Sequence, residues 1–94
     1  MKNIEKKVKE IVENLLKETE VKLVNVEFVS ESGEKYLRVY IDKKSGIEIS
    51  DCVDVSKKLS KILDEQDFIE MQYYLEVSSP GIKDVAGDEG GKIE

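Results

Sequence analysis

"VKLVNVEFVSESGEKYLRVYID", Val21 to Asp42, is two alternating runs separated by a glycine-bearing turn. In the first run, Val24, Val26 and Phe28 fall on one side and Leu23, Asn25, Glu27 and Val29 on the other. A period of two with β-branched residues predicts a strand, although its second side is not cleanly polar. "ESGEK", Glu31 to Lys35, supplies the turn. The second run then sets Leu37, Val39 and Ile41 against Tyr36, Arg38 and Tyr40. Two such runs so closely joined predict a hairpin with one buried face.

A buried face needs a cover, and the flanking segments supply two helices. Upstream, Ile4, Val8, Ile11, Val12, Leu15 and Leu16 recur at helical spacing behind Asn3, a residue suited to cap the helix. Downstream, "KKSGIEIS" turns at Ser45-Gly46 and offers Ile47 and Ile49 as a short extended pair, with Ser50 as the expected cap of a second helix. Asp51 and Asp54 suit its first turn, and Cys52, Val55, Leu59, Ile62 and Leu63 form its apolar stripe. After "DEQDFIE" breaks that pattern, Tyr73, Leu75 and Val77 alternate with Tyr74 and Glu76 as a third strand. Pro80 removes a ladder donor, sets Ser79 extended and with Gly81 favours a type II turn.

The predicted order is helix, strand, strand, helix, strand. It implies an α+β two-layer sandwich, both helices on one face of a small antiparallel sheet. The second helix carries the chain back, so the third strand runs in the direction of the second. Setting it beside the first strand, in the order 2-1-3, keeps all neighbours antiparallel. Beyond Pro80 the chain holds four of its six glycines and few apolar residues, which predicts a flexible tail.

Composition excludes several function classes. Ninety-four residues, 39% hydrophobic and 38% charged, suffice for one modest core. One cysteine and no histidine rule out disulfide frameworks, Cys-His dyads and the usual zinc sets within this chain, and fit a reducing, cytoplasmic compartment. No apolar run suits a membrane span or a signal peptide, so a soluble, unexported protein is expected. A net charge of −6 opposes broad nucleic-acid binding and suits a basic protein partner.

Catalytic candidates are weak. Cys52 near a helix start could carry a lowered thiol pKa, but no histidine exists to serve it and its apolar neighbours mark it as a core residue. Asp51 with Asp54, or Asp64 with Glu65 and Asp67, lack calcium-loop spacing, so neither a metal nor a cofactor is expected. Ser78, Ser79, Pro80 and Gly81 lack the following helix of a phosphate loop, and Lys57, Lys58 and Lys61 read as a solvated helix face. Tyr36, Arg38 and Tyr40 line the side of the hairpin that two helices on the other face leave open. They suit either RNA stacking or a protein contact. Binding by a catalytically unarmed domain is the expected activity.

"LVNVEFVSESGEKYLRVYID", "GIEISDCVDVSKKLSKILDEQD" and "YYLEVSSPGI", in this order and spacing, resemble the N-terminal domain of the RimP ribosome maturation factors. The resemblance spans Ile4 to Ile82. It implies a cytoplasmic, non-enzymatic assembly factor, expected to be monomeric, that associates with the immature small (30S) ribosomal subunit and assists its maturation. It implies an α+β domain at residues 1–82, with Ser78, Ser79, Pro80 and Gly81 as the joint to an SH3-like barrel. Family members usually follow that joint with an acidic residue, Arg, Pro and an apolar residue. Lys83-Asp84-Val85-Ala86 stands here instead, and residues 83–94 are expected to form a tail in the barrel's place. Docking on a basic ribosomal protein fits both charge and resemblance, with the exposed carboxylates and Tyr36, Arg38 and Tyr40 as expected partner-binding residues. The alternative is a direct rRNA contact, since the element order is similar to that of bacterial-type KH domains. Their Gly-x-x-Gly clamp is missing, because Gly33 lies in the hairpin and Gly46 has no glycine three residues on.

Overall fold

The computed structural model describes residues 2–80. The elements are α1 (Lys2–Leu15), β1 (Val21–Glu31), β2 (Glu34–Lys43), α2 (Ile49–Gln66) and β3 (Tyr74–Ser78), in the expected order. The hairpin between β1 and β2 closes through Ser32 and Gly33, at φ 52° and 81°. Two positive φ values in a two-residue loop match the right-handed strand twist, and glycine takes one of them without a Cβ penalty. The expected tail at residues 83–94 and Gly81 of the expected turn lie outside the described residues.

Both helices start earlier than their expected caps. α1 already includes Lys2, so Asn3 sits inside the first turn. α2 is capped by Glu48 in an extended conformation, not by Ser50, and Ile49 is helical instead of extended. The reason is a side chain reaching back: the Glu48 N–H donates to Asp51 Oδ2 at 2.9 Å. Lys43 Nζ, 3.1 Å from the same oxygen, ties the helix start to the end of β2. At the other end Asp67 turns left-handed and returns its N–H to the Leu63 carbonyl at 2.8 Å.

The sheet corrects the expected strand order. It runs β1-β2-β3, with β2 central, antiparallel to β1 and parallel to β3. It is therefore mixed, not antiparallel, and the order 2-1-3 does not occur. An 18-residue helix is about 27 Å long. That is ample for a crossover that lays α2 on the sheet and returns β3 beside the strand the chain has just left. Leu37, Val39 and Ile41 of the central strand are accordingly all fully buried.

β1 also departs from simple alternation. Leu23 pairs with Ile41 and Asn25 with Tyr40, leaving Val24 as the extra residue of a β-bulge. The bulge shifts the phase of the strand by one. Val21 and Leu23 pack against the core before it, Val26 and Phe28 are buried after it, and Val24 itself is half exposed. This explains the mixed second side, and it overturns the grouping of Val24 with Val26 and Phe28.

One core fills the space between the layers. Val8 and Val12 from α1, Leu16 just after it, and Cys52, Val55, Leu59 and Leu63 from α2 meet Phe28, Leu37, Val39, Ile41, Leu75 and Val77 from the sheet. Ile4, Ile11, Leu15 and Tyr73 pack around it, Tyr73 set edge-on to Phe28. Among the described residues, no helix is long and apolar enough to cross a membrane.

Candidate protein-docking face

Strand parity decides what the uncovered face of the sheet carries. With Leu37, Val39 and Ile41 turned inward, Tyr36, Arg38 and Tyr40 point outward from the central strand. The register adds neighbours on both sides and builds three rows. Val29, Tyr36 and Tyr74 form one, Glu27, Arg38 and Glu76 the next, and Asn25, Tyr40 and Ser78 the third.

Arg38 organises this lattice. Its Nη1 and Nη2 donate to the two carboxylate oxygens of Glu31 at 3.0 and 2.9 Å, and its Nε donates to Glu76 Oε1 at 3.0 Å. The planar guanidinium supports this fork-like pairing, which a lysine could not reproduce. The same group lies 5.0 Å from the centre of the Tyr36 ring, and Tyr36 stacks on Tyr74 with ring centres 5.6 Å apart. Tyr40 sends its hydroxyl to Glu27 at 3.3 Å.

The electrostatics follow from these contacts. The hydrogen bond from Arg38, then its charge, holds the Glu31 carboxyl below its ordinary value, and the same bond pushes Arg38 further up. The Tyr40 phenol is raised by burial first and then by the charge of Glu27. Glu31 and Glu76 contact the guanidinium and Glu27 is its cross-strand neighbour, so the cluster carries a net formal charge of −2. Arg38 already has its anions, and the exposed Lys22 lies opposite Asp42 at the far end of the same face.

Tyr36, Arg38 and Tyr40 are thus brought together as expected. Tyr74, which completes the lattice, is not among the expected site residues, and Glu27, Glu31 and Glu76 are not singled out among the exposed carboxylates. The alternation of β3 already turned Tyr74 and Glu76 away from the core. Their neighbours in space depended on strand order.

Of the Ser78–Gly81 stretch, the described residues Ser78 to Pro80 lie at the end of β3. Ser78 closes the strand, Ser79 is buried and Pro80 is exposed in a turn. Cys52 is fully buried in the core, its thiol pushed up by burial and then by Asp51. That is the reverse of an activated nucleophile. Lys57, Lys58 and Lys61 are exposed, with Lys58 3.5 Å from Asp54 one turn away. Among the described residues, no group of three His, Cys, Asp or Glu side chains is placed to hold a metal ion.

The sequence of residues 11–83 matches the family model described as the RimP N-terminal domain. That span takes in β1, β2, α2 and β3 together with the last turns of α1, and so includes every member of the lattice. The chain belongs to the RimP family of ribosome maturation factors, whose N-terminal domain it carries.

Proposed function

We propose that this chain is a cytoplasmic, non-enzymatic assembly factor that associates with the immature small ribosomal subunit and assists its maturation by docking on a basic ribosomal protein. The observation that carries the choice of partner is the charge arrangement on the open sheet face. The charge of Arg38 is already offset by the carboxylates of Glu31 and Glu76, so it is poorly placed to receive a phosphate. The residual negative charge beside Tyr36, Tyr40 and Tyr74 suits cationic and aromatic groups of a protein. Family membership supports the ribosomal setting. The buried Ser79 anchors the end of β3 before the exposed Pro80, which supports Ser78, Ser79, Pro80 and Gly81 as the joint to a following domain.

The test is a titration of the chain, as a monomer across a salt series, against immature small subunits, their isolated basic proteins and naked rRNA. Saturable binding to subunits and to one isolated protein, weakened in Tyr36→Ala and Tyr40→Ala, is the expected result. Binding to rRNA alone, falling steeply with salt, would replace this reading with the KH-like one.

A further inference from the structure

The two outer strands of the sheet are finished differently. β1 is guarded: the bulge at Val24 interrupts its pairing, and Glu5 of α1 reaches over to accept the Phe28 N–H at 2.9 Å. A fourth strand would need that donor. β3 is the outer strand on the opposite side, and among the described residues no further strand pairs with it.

Beside β3 lies a cleft of about 390 Å³, lined by Ser60 and Asp64 of α2 and by Met71, Gln72 and Tyr73 on the approach to the strand. Met71 and Tyr74 are 42% and 37% exposed there, among the most exposed large apolar side chains described. The charge around the cleft is predominantly negative, although the exposed Lys57 and Lys61 of α2 lie close to Ser60 and Asp64. Ile62 to Ile82 holds five carboxylates and no Lys or Arg. Glu76 belongs to the Arg38 lattice, but Asp64, Glu65, Asp67 and Glu70 are exposed along the end of α2 and the loop entering β3. The Tyr73 phenol, raised by burial and then by Asp64 and Asp67, lies in the same negative field.

We propose that the outer edge of β3 is a strand-addition site for an extended basic peptide. The peptide pairs its backbone with Tyr74–Ser78, sets an apolar side chain into the cleft at Met71, and brings Lys or Arg to Asp64, Asp67 and Glu70. Charge selects this occupant. A second copy of the chain would bring its own carboxylates to the edge, and a nucleic acid its phosphates, whereas a basic strand neutralises the group. The site adjoins the open sheet face, sharing Tyr74 and Glu76 of β3 with it, but it uses the outer edge of the strand and does not depend on the ribosomal reading.

The experiment titrates the isotopically labelled chain with a short synthetic peptide alternating Val and Lys. The same peptide N-methylated at every second residue, in each of the two phases, serves as the control. N-methylation keeps charge and side chains while removing the donors on one edge. Expected are saturable binding, slowed amide exchange within residues 74–78, loss of binding for one N-methylated phase only, and roughly two- to five-fold weaker binding in Asp64→Asn. Equal binding of all three peptides, no binding, or shifts centred on Tyr36 and Tyr40 with residues 74–78 unchanged would each overturn the proposal.

Discussion

At Arg38, three hydrogen bonds, two carboxylates and a ring face converge on one partly exposed side chain. Removing it leaves Glu31 and Glu76 without their cation, so Arg38→Ala is expected to cost about 1–2 kcal/mol in urea unfolding. Arg38→Lys should recover only part of that, because an ammonium cannot span both partners. Since the guanidinium offsets only part of the negative charge on the face, Arg38→Ala should leave binding of a basic protein in place, unlike the tyrosine substitutions. Cys52 gives a second expectation at this scale. Buried, with its thiol raised, it should react with a thiol reagent orders of magnitude more slowly in the folded chain than in denaturant. Rapid labelling of the native protein would contradict the core assignment. Both roles were partly legible in the sequence. The parity of β2 turned Arg38 outward, and the stripe of α2 turned Cys52 inward, but neither pattern names the carboxylates that arrive from β1 and β3.

Among the elements, α2 carries the most consequential end. The Glu48–Asp51–Lys43 contacts begin the helix and fasten it to β2, so Asp51→Ala should destabilise the chain by about 1 kcal/mol. The Asp51 carboxyl is held below its ordinary 3.8, first by the Glu48 amide and then by Lys43; Glu31 is likewise held below 4.5 by Arg38. A depressed folded pKa means that the unfolded chain takes up the proton first as pH falls. Their contributions are therefore complete above those ordinary values and are lost as pH drops through the depressed ones. Asp51→Asn should make stability less steep with pH below about 4, measured as urea midpoints across a pH series. For β1, Glu5→Ala leaves the Phe28 amide without its acceptor. A loss of about 1 kcal/mol and concentration-dependent self-association are expected, while Glu5→Gln keeps an acceptor and should suppress both. Ser50 and Asn3 looked like caps because their hydroxyl and amide suit that role. The helices started elsewhere because caps are chosen by which side chain reaches the free N–H groups, and Asp51 reaches back.

For the whole molecule, a single core joins both layers, and Leu37 sits on its central strand with no exposure. Leu37→Ala should cost about 2–5 kcal/mol, a large share of the roughly 5–15 kcal/mol available to a small domain. The change should appear as a lower urea midpoint at an unchanged slope. The period of the apolar residues was enough to determine the two helices, the three strands, the buried faces of α1, α2 and β2, and the two-layer α+β class. Local spacing sets which side of an element can be buried, and the hydrophobic effect does the rest. The sequence also carried the acidic balance, the lack of catalytic pairs and the RimP resemblance. Tertiary structure alone decided that β2 is central and parallel to β3, because the crossover of α2 fixes where the returning strand lands, whereas alternation is identical in either order. It alone placed the bulge at Val24, which exists only against a partner strand, and closed the Glu31–Arg38–Glu76 lattice from three strands. Residues far apart in the chain become neighbours through register, and register belongs to the assembled sheet.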